Sequence, residues 1–176
     1  GFHVTVLDPD PAAPAGQVAD VHVMGRFDDA AKLGELVERC EVTTFDIEGI
    51  DAEALRILAD RGHVIRPSPT LLALIQDKLQ QREKLAGIGV PVPRFQRQDA
   101  PDREAFAAFG YPLVQKVRRG GYDGRGVQLM HSDADFDKAL PRPSLLEAMV
   151  DMDKELAVMV ARSVTGEVRS YPVAEM

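Results

Sequence analysis

A chain of 176 residues and 19.3 kDa has room for one good core or two small ones, and 45% hydrophobic with 28% charged residues is ordinary for a soluble globular protein. A formal charge of −7 argues against general binding to nucleic acid or an anionic membrane, although local basic clusters can still hold phosphates. No apolar run is long enough to span a bilayer, no signal-peptide pattern occurs, and the single cysteine, Cys40, allows no intramolecular disulfide, so a reducing cytoplasm fits.

His3 to Leu7 alternates with valine and runs into Asp-Pro-Asp-Pro, which predicts a strand ending in a turn, followed by a Pro/Ala-rich loop over 9–15. Apolar residues at 30, 33, 36 and 37 predict a helix over 28–39, started by Asp28 or Asp29. Cys40, just past it, reads as a buried structural thiol. A β-rich run over 42–47, a helix over 51–61 stopped by Gly62 and a short strand over 63–66 follow. Strands alternating with helices argue for a parallel sheet with helical crossovers. Ser68-Pro69 is a helix start, and Leu71, Ile75, Leu79 and Leu85 carry one helix forward until Gly87, Gly89 and Pro91 end it. The Pro-spaced segment to residue 93 marks a boundary between sheet-based subdomains. Beyond it the pattern predicts helix 102–109, strand 112–117, a loop, strand 126–130, helix 132–139 and strands near 144–149, 154–162 and 168–174. Prolines 112, 141, 143 and 172 belong at strand starts or edges.

Chemistry concentrates in residues 112–126, Pro-Leu-Val-Gln-Lys-Val-Arg-Arg-Gly-Gly-Tyr-Asp-Gly-Arg-Gly. A short apolar strand delivers Lys116, and a basic, glycine-rich loop follows. Glycines let backbone amides approach an anion closely, and lysine supplies a fixed positive charge. The stretch reads as a polyphosphate cradle on a strand–loop–strand, set against the plainer alternative of a basic hairpin turn. A Walker-type loop needs G-x-x-x-x-G-K-[ST] opening a helix, and no such string occurs. The histidines, at 3, 22, 63 and 131, are scattered and form no metal-ligand pair.

The string Arg-Arg-Gly-Gly-Tyr-Asp-Gly-Arg-Gly at 118–126 resembles the glycine-rich loop of the N5-carboxyaminoimidazole ribonucleotide synthase family, within the ATP-grasp superfamily. Val-Thr-Val-Leu-Asp-Pro-Asp-Pro at 4–11, Thr-Phe-Asp-Ile-Glu at 44–48, Pro-Ser-Pro at 67–69 and Gln-Asp-Lys-Leu at 76–79 agree in order and spacing. So do Gly-Val-Pro-Val-Pro at 89–93, Leu-Leu-Glu at 145–147 and Tyr-Pro-Val-Ala-Glu at 171–175. The resemblance implies an α/β ATP-grasp fold. Residues 1–77 would be a partial N-terminal parallel-sheet (pre-ATP-grasp) domain and 78–176 a partial ATP-grasp domain. Within the latter, a loop-bearing α+β subdomain falls at about 90–147, and the start of a C-terminal lobe falls at 148–176. In the family a strand and Gly-rich turn precede the position of Gly1, and most of the C-terminal lobe follows that of Met176. The chain is therefore expected to match an interior section.

The resemblance also assigns roles. Lys116 and Lys78 go to the ATP phosphates, although on spacing alone Lys78 is an ordinary exposed helix residue. Gly121, Gly124 and Gly126, with Gly120, let the loop fold over the triphosphate, and Val127 follows where glutamine is common. Tyr122, Asp123 and Arg125 face the ribonucleotide, or else merely solvate the loop, while Arg118 and Arg119 give general electrostatic support. Glu147, Ala148, Met149 and Val150 form the hinge that reads adenine, and Glu155 takes the ribose hydroxyls. Without the family, Glu147 and Glu155 read as exposed strand carboxylates. Glu48 resembles an acid near the ribonucleotide site. Asp46, on the same face by period two, serves there or as part of a helix cap.

The implied reaction is ATP- and bicarbonate-dependent carboxylation of 5-aminoimidazole ribonucleotide through carboxyphosphate, with ATP and Mg2+ as cofactors, no assignable magnesium ligands and a homodimeric parent. The alternatives are another ATP-grasp carboxylase or ligase, or an ATP-binding module without catalysis.

Overall fold

The computed structural model describes residues 1–121 and 124–176. Thr5–Asp8 (β1) and Val21–Met24 (β2) run parallel, in register from Thr5–Val21 to Asp8–Met24, and are joined through the short helix Pro14–Val18 (α1). Neither α1 nor β2 stands out in the sequence pattern. Asp29 accepts hydrogen bonds from the amides of Ala31 and Lys32 and starts Ala30–Glu38 (α2); Asp51 does the same for Glu53 and Ala54 at the head of Ala52–Asp60 (α3). These carboxylates satisfy donors that the first helical turn leaves without partners. Leu33, Leu36 and Val37 of α2 and Leu55 and Leu58 of α3 close with Leu7, Val23, Ile65 and Leu72 into the first core, and Cys40 packs half-buried at its margin.

The expected strands at 42–47 and 63–66 reduce to a single parallel bridge between Thr43 and Ile65. The carbonyls of Glu48 and Ile50 go to the side-chain amide of Gln76, at 2.6 and 2.8 Å, and not to a neighbouring strand. Residues 43–47 and β1 instead flank an apolar cleft of about 320 Å³.

The helix expected from Ser68 onward is two helices, Pro69–Ile75 (α4), capped by Ser68, and Lys78–Gly87 (α5). Asp77 breaks it by taking an extended backbone (φ −113°, ψ 103°), from which its carboxylate accepts from the amides of Leu79 and Gln80. The buried face passes through Leu72 and Leu79, leaving Leu71 exposed.

Phe95–Gln98 (β3), Arg103–Phe109 (α6), Leu113–Val117 (β4), Val127–Met130 (β5) and Ser144–Ala148 (β6) form the second unit, with a 3-10 turn over Asp133–Lys138 in place of the expected helix. The sheet order is β3-β6-β4-β5, antiparallel throughout. Strand β3, too polar to read from its sequence, fills the edge beside β6. Side chains alternate across the sheet. Leu113, Met130 and Leu146 pack on Phe106 and Phe109, and the Phe106 and Phe136 rings meet edge-on at 5.3 Å. The opposite face carries Val114, Lys116, Leu145 and Glu147. Pro112 and Pro143 stand immediately before β4 and β6.

Beyond β6 the expected long strands divide into Leu156–Ala157 (β7), Val160–Arg162 (β8), Val168–Ser170 (β9) and Ala174–Glu175 (β10). They pair antiparallel as β8 with β9 and β10 with β7, on chain that is exposed almost throughout. Pro172, which has no amide to give a ladder, lies in the gap between β9 and β10.

Candidate functional site

The basic loop joins β4 to β5, and its base is tied by the Val117 amide donating to the Gly126 carbonyl at 2.8 Å. Two glycines there answer to packing. Gly126 has φ +76° and a Cβ on it would run into Val117 Cγ2, while a Cβ on Gly121 would lie 2.7 Å from the Arg125 carbonyl oxygen. Gly124 and Arg125 are exposed on the turn, and Val127 begins β5 directly opposite Lys116. Tyr122 and Asp123 lie outside the described residues.

Lys116 and Glu147 share the sheet face away from the Phe106 core. Lys116 is paired across the ladder with Leu145, so Glu147 is its diagonal neighbour on β6. The Lys116 ammonium lies 2.5 Å from Glu147 Oε2, and Arg82 Nε, from α5, lies 2.5 Å from Glu147 Oε1. Glu147 is therefore no exposed strand carboxylate: its side chain is 3% exposed and bracketed by two cations.

The Gln76-Asp77-Lys78 junction ties this sheet to the first unit. Gln76 holds the Glu48 segment by the two hydrogen bonds already given. Arg118 donates to both oxygens of the buried Asp77 carboxylate, at 3.0 and 2.6 Å, and Arg119 Nε stands 3.4 Å from Oδ2. Burial pushes the Asp77 carboxyl up, but the Arg118 hydrogen bond and the Gln80 and Leu79 amides outweigh it and hold the group at about 2. The same hydrogen bond holds the Arg118 guanidinium above its ordinary value. The Lys78 amide donates to the Arg118 carbonyl at 2.9 Å and its ammonium to the Gly121 carbonyl at 3.0 Å.

Glu48, Gln76, Lys78, Arg119, Gly120 and Gly121 line one pocket of about 920 Å³. The structure thus brings Glu48, Lys78 and the loop together at one cavity, and Lys116 and Glu147 on the adjoining sheet. Asp46 lines the apolar cleft beside β1 and is not among the residues that line the Glu48 pocket. Arg118, expected to give only general support, is a specific partner of Asp77.

Ala148 closes β6, its amide donating to the Arg94 carbonyl at 2.8 Å; Met149 and Val150 follow on exposed chain. Glu155 lies just before β7 on the exposed C-terminal hairpins, its carbonyl accepting from the Met176 amide. Among the described residues no group of three or more His, Cys, Asp or Glu is arranged to hold a metal. The magnesium implied by the resemblance finds no ligand set there. Among the described residues, too, no helix is long and apolar enough to cross a membrane.

Sequence reasoning missed Asp77, Arg82 and Gln76. A signal existed for Arg82, four residues after Lys78 and hence on the same side of a helix. Its partner Glu147 lies 65 residues away, and no local pattern gives that pairing.

Residues 1–76 match the family described as Ribonucleotide synthetase preATP-grasp domain, and residues 83–176 match the ATP-grasp domain. The chain is similar to the N5-carboxyaminoimidazole ribonucleotide synthase of Synechococcus elongatus, at 39% identity over 181 residues covering 99% of this chain and 46% of that protein. The Bacillus subtilis protein of the same name is 32% identical, over 99% of this chain and 47% of its own length.

Among solved structures, N5-carboxyaminoimidazole ribonucleotide synthetase from Thermotoga maritima superposes with a TM-score of 0.92 at 44% identity, covering 100% of this chain and 47% of that one. The N5-carboxyaminoimidazole synthase of Aspergillus clavatus, in complex with ADP and 5-aminoimidazole ribonucleotide, superposes with a TM-score of 0.82 at 31% identity, over 97% and 46% of the two chains. The chain spans about half the length of the curated relatives it matches. The fold is the mixed α/β arrangement of a pre-ATP-grasp domain followed by ATP-grasp elements, as the loop motif implied. The chain belongs to the ATP-grasp family.

Proposed function

We propose that the whole protein carboxylates 5-aminoimidazole ribonucleotide to N5-carboxyaminoimidazole ribonucleotide at the expense of ATP and bicarbonate, in purine biosynthesis. The observation that carries this reading is the meeting of Lys78, Glu48 and the glycine loop at one cavity beside the Lys116–Glu147 sheet face. A bicarbonate oxygen attacks the γ-phosphorus as the bond to the β-bridging oxygen breaks, giving carboxyphosphate and ADP. Carboxyphosphate then breaks its C–O bond to release carbon dioxide and phosphate. The amine of the ribonucleotide forms the new N–C bond and gives up a proton.

Phosphoryl transfer of this kind depends on positioning and charge neutralisation. Lys116, Lys78 and the amides of Gly121, Gly124, Gly126 and Val127 take the phosphates in this proposal. Glu147, Ala148, Met149 and Val150 take adenine, and Glu155 takes the ribose. Glu48 on the pocket wall, with Tyr122, Asp123 and Arg125 of the loop, faces the ribonucleotide. Loop closure keeps water from the reactive anhydride. The domain division at 77/78, use of bicarbonate and magnesium, a homodimer and a cytoplasmic location belong to the same proposal. For the 176-residue chain alone we propose ATP binding.

The test is ADP release by the full-length protein. It is expected to require bicarbonate and to be stimulated by 5-aminoimidazole ribonucleotide. Equal stimulation by glycinamide ribonucleotide, or by no amine at all, would turn the reading to another ATP-grasp ligase.

A further inference from the structure

Glu147 places one buried negative charge between two positive ones, Arg82 Nε and Lys116 Nζ, each 2.5 Å from a different carboxylate oxygen. The two cations are not equivalent. Arg82 rises from α5 and engages through the Nε of a planar, permanently charged guanidinium. Lys116 reaches Glu147 diagonally from the adjacent strand, on a flexible stem that ends in a freely turning ammonium, and its side chain keeps 29% exposure. Lys116 is the member able to leave.

If Lys116 were the sole partner of Glu147, moving it onto an anion would strand a buried carboxylate without a counter-charge, a strongly unfavourable state. With Arg82 in place Glu147 stays paired when Lys116 departs, and an incoming anion neutralises the cation released. We infer that Arg82 is a positioning residue that holds Glu147 so that Lys116 is free to engage the phosphates of the nucleotide. This rests on the proposed nucleotide site at Lys116. Without Arg82 the ammonium stays captured, and only the fraction of molecules in which it is released binds phosphate well.

The readout is the ratio of ATP to adenosine affinity, measured by calorimetry and competition, because adenosine has no phosphates for Lys116 to meet. If capture leaves Lys116 free in about a tenth of the molecules, R82Q lowers that ratio about tenfold by weakening ATP alone. R82K preserves the ratio, and R82Q/E147Q restores it by removing the capturing charge. An unchanged ratio in R82Q, equal weakening of both ligands, or no recovery in R82Q/E147Q would each overturn the inference. The last of these outcomes would point to direct contact between Arg82 and the phosphates.

Should R82Q fail to fold, R82M, which keeps the aliphatic stem and removes only the charge, carries the test: its ratio falls about tenfold, and an unchanged ratio or equal weakening of both ligands overturns the proposal. Failure of the nucleotide reading shows separately, as wild-type protein that binds ATP no better than adenosine.

Discussion

At Asp77 one carboxylate caps α5 and receives two hydrogen bonds from Arg118 while buried to 2% exposure. Its folded-state pKa, about 2, lies below the ordinary 3.8. A depressed carboxyl contributes stability that is fully present above its unfolded value and is lost as pH falls through the folded one. The window is therefore about pH 4 down to 2, and the contribution is about 2 kcal/mol. The urea midpoint of the wild-type chain should fall across that window by an amount that D77N does not show. D77N should also start about 2 kcal/mol lower at pH 7, since it leaves Arg118 without its charge partner. None of this was legible locally. Within an apolar helical run Asp77 looks like solvated surface, and only its arginine partner 41 residues on reveals it as a fixed charge. Lys116 and the loop glycines were legible because their residue types cluster within fifteen positions of sequence.

Between β4 and β5 the loop base is set by contact between Gly126 and Val117, which makes the glycines of this loop unequal. Both Gly124 and Gly126 have φ +76°, but a Cβ on Gly124 would meet open space. G124A should cost about 1 kcal/mol of stability from backbone conformation alone. G126A should cost more, by about 1–3 kcal/mol of steric conflict, and V117A in that background should recover part of the difference in a double-mutant cycle of thermal midpoints. Additive costs would show that the base is not packed as described. The helices over 30–38 and 52–60 were plain in the sequence because apolar spacing and a leading aspartate agree. The break after Gln76 was not, because the apolar spacing runs through it without a gap: Leu72 and Leu79 are seven residues apart, a repeat that suits one helix or two. The run 42–47 has strand composition, but the carbonyls just beyond it go to Gln76, a tertiary choice that composition does not record.

Two cores divide the molecule, one under α2, α3 and α4 and one between α6 and the four-stranded sheet, while the chain after β6 contributes to neither. Val158, Met159, Val160, Tyr171 and Val173 are all exposed there. In the 176-residue chain, amides of β4 and β6 should exchange with solvent at least about a thousandfold more slowly than those of β7 to β10, because few buried contacts resist local opening of the hairpins. Comparable protection in both would mean that the hairpins are covered in solution. The α/β class was legible from alternating strand and helix patterns. The antiparallel order β3-β6-β4-β5 was not, because β3 is Phe-Gln-Arg-Gln and carries almost no apolar signal. Most connections between helices tolerate a change of length. The one between α4 and α5 should not. Three consecutive side chains there reach partners 28, 41 and 43 residues distant. One inserted or deleted residue would offset the start of α5 along the chain by up to about 3.8 Å, enough to carry these side chains out of hydrogen-bond reach of their partners.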